Sequence, residues 1–96
     1  MIPVFSSEHI IKLVSEEIPY WSFRDKEIHR NFSFPSFLLS IDFINQIAKL
    51  AEERNHHPHI IIHFTDVQIS LSTHDAGGIT EKDFVLAKEI DNLLKK

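Results

Sequence analysis

Apolar residues recur along this chain with two periods, and the period changes at prolines and charged turns. Over 7–18, Ile10, Ile11, Val14 and Ile18 fall on one helical stripe, with Ser6 or Ser7 placed to cap the first turn. Over 36–54, Phe37, Ile41, Ile44, Ile47, Ala48 and Ala51 repeat every three or four residues behind Ser36. Pro58 then makes continuation of that helix unfavourable, because the residue before a proline is biased toward extended backbone. The last helix is marked by Thr80-Glu81-Lys82-Asp83, where a hydroxyl caps the N-terminus and a carboxylate three residues on bonds back. Phe84, Ala87, Ile90, Asp91 and Leu94 continue its period, and Lys95 and Lys96 suit the negative end of its dipole.

Alternation replaces the helical period in four other stretches. Segments 20–24 and 27–34 flank the turn Asp25-Lys26, and 60–64 and 67–73 flank Thr65-Asp66. Ile28, Phe32 and Phe34 point one way; His29, Asn31 and Ser33 point the other. Val67, Ile69 and Leu71 likewise oppose Gln68, Ser70 and Ser72. The order α-β-β-α-β-β-α predicts a single α+β domain: a four-stranded antiparallel sheet with three helices on one face.

Composition narrows the function classes. The chain has 96 residues and no cysteine, which removes disulfides, thiolate nucleophiles and thiolate metal sites. Ten Lys and Arg against 14 Asp and Glu give a net charge of −4, and no basic block offers a nucleic-acid phosphate site. Apolar runs stop at four residues (Phe84-Val85-Leu86-Ala87, then Phe37-Leu38-Leu39 and Ile60-Ile61-Ile62), which argues against a membrane span or a secretory segment. Glu8, Glu16 and Glu17 argue against a transit peptide, so the expected setting is cytoplasmic. The unusual quantity is histidine: seven in all, five of them between positions 56 and 74.

Two segments carry the candidate chemistry. Asn55-His56-His57-Pro58-His59 joins the second helix to the third strand, and Ser72-Thr73-His74-Asp75 ends the fourth. An antiparallel hairpin brings these ends together and sets His74 near His56 and His57. Clustered imidazoles divide the roles of proton donor and acceptor near neutral pH, which suits elimination or isomerisation of a small polar molecule. Zinc on three histidines and water is the competing chemistry. His59 and His63 have H-x3-H spacing, but on a strand they stand about 13 Å apart and cannot share one ion. The ordinary alternative for each histidine is a solvated position at an element end. Glu16-Glu17 and Glu52-Glu53 suit solvated helix faces, although Glu52 lies one turn before His56 and is placed to orient it. Trp21 and Tyr20 suit either packing or stacking on a flat ligand.

From about residue 18 onward the sequence resembles the pterin-4a-carbinolamine dehydratases. The resemblance is carried by Pro19-Tyr20-Trp21, Phe32-Ser33-Phe34, the run from Ala51 through Asn55-His56-His57-Pro58, the run from Val67 through Ser72-Thr73-His74-Asp75, Gly78-Ile79-Thr80, Asp83 and Leu86-Ala87. It implies an α+β fold and loss of water from a 4a-hydroxytetrahydropterin to give quinonoid dihydropterin, as in tetrahydrobiopterin recycling, with no metal or organic cofactor. It assigns His56 and His74 to hydroxyl departure and His57 to pterin binding or acceptance of the N5 proton. Asn55, Ser72, Thr73 and Asp75 match segments lining the family's pterin site, and Trp21 matches a tryptophan near it. Two positions depart: His59 stands where an acidic residue is common, and Phe64 where a tyrosine is common. The resemblance also implies homodimers or homotetramers and, for some members, a non-enzymatic role stabilising dimers of a transcription factor.

Overall fold

Each helix starts where a hydroxyl caps the free N–H groups of the first turn. In the computed structural model, which describes residues 2–95, α1 spans Ser7–Glu17 behind Ser6, whose Oγ accepts from the His9 N–H. Helix α2 spans Phe37–Arg54 behind Ser36, and α3 spans Glu81–Asn92 behind the Thr80/Asp83 capping box. Because α3 ends at Asn92, Lys95 stands beyond its last turn, and Lys96 lies outside the described residues. Among the described residues, no helix is long and apolar enough to cross a membrane.

The strands are β1 (Ser22–Arg24), β2 (Glu27–Ser33), β3 (His59–His63) and β4 (Asp66–Leu71), all antiparallel in the order β1-β2-β4-β3. The chain is therefore the expected α+β arrangement of α-β-β-α-β-β-α. Asp25 and Lys26 form the first hairpin turn with φ of 52° and 64°, the left-handed pair that matches strand twist. The second turn is Phe64-Thr65 rather than Thr65-Asp66, since His63 pairs with Asp66. That moves the pairing register by two residues and leaves every side chain on its expected face.

The inner face carries Ile28, Phe32, Val67, Ile69 and Leu71, which join Ile10, Ile47, Phe43, Leu86 and Ile90 of the helices in one core. The α2 stripe is rotated from the expected one. Ser40, Phe43, Ile47 and Ala51 are buried, whereas Phe37 and Ala48 are exposed and Ile41 and Ile44 half-buried. The apolar arc of α2 is wider than the arc its own sheet covers. The outer sheet face is polar and open, and His29 lies down on it with Nδ1 2.9 Å from Ser70 Oγ.

Candidate active site

Helix α2 ends because Asn55 turns left-handed (φ 48°), a conformation asparagine tolerates better than most residues. The reversal gives the His56 N–H to Ala51 O at 3.0 Å and swings the His56 ring onto the first turn of α3. There Nε2 lies 2.7 Å from Oδ1 of Asp83, a fully buried carboxylate. The other oxygen of Asp83 accepts from Thr73 Oγ1 at 2.9 Å and from the Thr80 N–H at 2.9 Å. With the Thr73 hydroxyl committed to Asp83, the Thr80 hydroxyl donates to Thr73 Oγ1 at 2.8 Å and accepts from the Lys82 N–H. Every buried polar side-chain atom among the described residues is satisfied. The carboxylate sets the His56 tautomer: Nε2 carries the proton, and Nδ1 is the nitrogen left for other chemistry.

Asp83 thus ties the two histidine segments together, one oxygen holding His56 and the other Thr73, the residue before His74. The sheet register brings them to the same corner. His59 pairs with Ser70, so counting back sets His57 opposite Ser72 and His56 opposite Thr73. Regular pairing stops at His59 because Pro58 has no N–H to donate. Thr73 then closes its own loop, accepting from the Ala76 and Gly77 N–H groups while a 3-10 turn (His74–Ala76) displays His74 and Asp75 to solvent.

The corner is shallow and divided. His56 opens with Ile2, Arg54 and Lys82 onto a hollow of about 370 Å³. His74 and Ser72 open with Gly77 and Gly78 onto another of about 250 Å³. His57 is exposed, as is Asn55 beside it. The N-terminal segment walls this corner: the Phe5 N–H bonds Ile79 O at 2.8 Å, and Val4 packs where Gly78 lacks a side chain. Arg54 Nε donates to Glu89 Oε1 at 2.7 Å, and this hydrogen bond, then the charge of Glu89, pushes the guanidinium above its ordinary pKa. Arginine is charged at any working pH, so the pair is a constant, solvent-screened link between α2 and α3.

Two expected positions change. Glu52 does not orient His56; its Oε2 lies 2.5 Å from Nε2 of His57. The i to i+4 geometry that would have joined Glu52 to His56 requires α2 to continue, and the left-handed Asn55 ends it. Trp21 is buried, with its indole N–H on Asp91 Oδ1 at 2.9 Å. Asp91 is eight residues beyond Asp83 on α3, roughly 12 Å along the axis, so Trp21 belongs to a separate cluster with Arg30. In the sequence Asp83 stands as half of a capping box and among the residues that carry the family resemblance, with no site role attached; a carboxylate that spends one oxygen on the cap has a second one to place.

No group of three His, Cys, Asp or Glu among the described residues of one chain is arranged to hold a metal ion.

A family model described as pterin 4 alpha carbinolamine dehydratase matches residues 3–93. A Picosynechococcus protein named for pterin-4-alpha-carbinolamine dehydratase is 47% identical over 77 residues, covering 80% of this chain and 84% of the relative. A Chloroflexus aurantiacus protein of the same name is 42% identical over 93 residues, covering 97% and 99%. Among solved structures, the transcriptional coactivator/pterin dehydratase of Brucella melitensis superposes with a TM-score of 0.88 at 26% identity, covering 95% of this chain and 98% of that one. A pterin dehydratase-like protein identified as a RuBisCO assembly factor in the alpha-carboxysome superposes with a TM-score of 0.64 at 26% identity, covering 79% and 88%.

Proposed function

This chain belongs to the pterin 4 alpha carbinolamine dehydratase family, and from that membership we propose that it dehydrates 4a-hydroxytetrahydropterins by histidine acid–base catalysis, in a cytoplasmic setting. The reaction breaks the C4a–O bond, releases water and leaves quinonoid dihydropterin. The departing hydroxyl takes up one proton while N5 gives one up, so the flat ring needs a donor and an acceptor. His56 and His74 serve the departing hydroxyl, and His57 binds the ring or receives the N5 proton. Asn55, Ser72 and Asp75 supply hydrogen bonds around it, while Thr73, expected among them, is buried with its hydroxyl spent on Asp83 and Thr80 and acts by holding their segment in place. No metal or organic cofactor enters this scheme.

The observation that carries the proposal is the Asp83 bridge between His56 and Thr73. It spends Nε2 of His56 on a fixed buried carboxylate, which leaves Nδ1 as the atom that exchanges a proton with substrate. The test is stopped-flow dehydration of freshly generated 4a-hydroxytetrahydrobiopterin. Pure protein accelerates the reaction over its spontaneous rate; no acceleration overturns the proposal.

Assembly is part of the same reading. Phe37, Leu38, Ile61, Ile62 and Phe64 are 36–74% exposed, an apolar surface along α2 and the β3 edge that a homodimer or homotetramer covers. The non-enzymatic alternative draws on the relatives named as a coactivator and as an assembly factor. A partner protein retained by a variant lacking all three histidines would support it.

A further inference from the structure

The β3 edge is unfinished in a way that its own residues define. One side of His59–His63 pairs with β4, and no strand among the described residues pairs with the other. Pro58 bounds this edge at one end and Phe64, at φ 57°, at the other. Between them lie five residues without lysine, proline or bulge, the devices that usually protect an edge. The opposite edge, β1, is three residues long and carries Arg24.

We propose that the two-copy assembly of the proposed function, with β3 paired antiparallel to its counterpart about a two-fold axis at Ile61, builds a site for a divalent transition-metal ion from His59 of one copy and the partner's His63 and Asp66. The register follows from the bounds: only with Ile61 opposite itself do all five residues find partners. Ile60 then meets the partner's Ile62 on the inner face, and His59 meets the partner's His63 on the outer. The occupant is a second copy because the edge is self-complementary: the two-fold sets each of its residues opposite a residue of the same edge. Five exposed apolar side chains along α2 and the β3 edge offer roughly 500 Å² at about 200 Å² each when fully exposed, the greater part of the about 800 Å² per partner that a stable interface takes, and the backbone and polar atoms of the paired edge add the rest.

Parity puts the ligands together. His63 pairs with Asp66 on β4, so His59, the partner's His63 and the partner's Asp66 occupy three consecutive strands in one row of the outer face. Neighbouring positions in such a row are about 4.8 Å apart, whereas His59 and His63 of a single strand are about 13 Å apart. The pairing converts a spacing that cannot hold an ion into one that can. All three side chains are exposed and free of burial in their own chain. Ser33 Oγ donates to Asp66 Oδ1 at 2.8 Å, fixing one carboxylate oxygen and leaving the other for the ion. Two imidazoles and a carboxylate, with water in a fourth position, suit zinc. The two-fold axis makes two such sites per dimer.

This inference rests on the two-copy assembly of the proposed function but not on its dehydration chemistry. The test uses the full chain, stripped of metal and titrated with zinc chloride. One zinc per chain is expected, with the dimer dissociation constant lowered at least about tenfold and restored by chelator. His59→Ala and His63→Ala, both at exposed positions, each abolish the zinc response while circular dichroism stays unchanged. A differently tagged heterodimer of the two variants keeps His59 from one copy opposite His63 from the other, so it regains one zinc per dimer. Zinc bound equally well by monomer, retained in either variant, or not regained in the heterodimer overturns the site. Wild-type turnover without any zinc response removes the metal site and leaves the dehydratase standing; zinc-linked dimerisation without turnover does the reverse.

Discussion

His56 and His57 are consecutive, and each presents Nε2 to a carboxylate, at 2.7 Å from Asp83 and 2.5 Å from Glu52. Their surroundings differ: the side chains of the first pair are 10% and 0% exposed, those of the second 57% and 77%. A carboxylate and an imidazole excluded from water hold one geometry, because an unpaired alternative is costly. The same two groups in solvent exchange partners with water at little cost. Adjacent residues thus carry different capacities. His56 is fixed in tautomer and orientation, and His57 is free to swing toward a ligand.

Removing Asp83 tests the buried half of that contrast and has the largest expected effect. Asp83→Ala strands His56, Thr73 and the Thr80 N–H, and removal of one member of a buried pair costs about 3–5 kcal/mol. For a domain of this size each kcal/mol lowers Tm by about 4–8 °C, so thermal unfolding should move by well over 10 °C. Asp83→Asn keeps the shape and one acceptor, and should cost less than half as much. Nitrogen-15 spectra distinguish positioning from mere stability: the wild type holds His56 with its proton on Nε2, and the Asn variant mixes tautomers. An unchanged tautomer in Asp83→Asn refutes the positioning role.

Substitution of the histidines comes next. His56→Ala removes a group fixed in place, and kcat should fall by about 10²–10⁴, the range for a lost acid–base group. His57→Ala should act more on KM, because an exposed ring contributes by moving to the substrate. Single-turnover kinetics separate the two, and equal losses of kcat with unchanged KM would erase the distinction between the neighbours.

The sequence made the buried half of this contrast partly legible. The Thr80/Asp83 box, the left-right alternation of β2 and β4 and the proline that ends pairing at 58 are local signals, and they survive in the structure. The bond from Asp83 to His56 spans 27 residues, and no local rule chooses which partner takes the second carboxylate oxygen. The turn at Phe64-Thr65 is not legible for a related reason. A bulky residue at positive φ is disfavoured locally, yet Phe64 adopts φ 57°, with its ring centroid 6.4 Å from that of Phe37. The core face of α2 is only partly legible, because Phe37 and Ala48 are apolar yet exposed while Ile41 and Ile44 are half-buried at its margin. Periodicity reports an apolar face but not whether the same chain or another copy covers it.

Glu52→Gln is the smallest perturbation and the cleanest check on the exposed half. The substitution removes the charge and keeps an oxygen within reach of His57, so stability should change by less than about 1 kcal/mol. Combined with His57→Ala in a double-mutant cycle, the coupling energy should be a few tenths of a kcal/mol and should shrink as salt is added. The corresponding cycle of Asp83→Asn with His56→Ala should give several times that coupling and little salt dependence. Because the paired groups are chemically alike and adjacent in sequence, the ratio of the two couplings measures what burial alone contributes. A Glu52 coupling as large as that of Asp83 would mean that the exposed pair is also fixed, and His57 would lose the freedom that its proposed role in meeting the pterin requires.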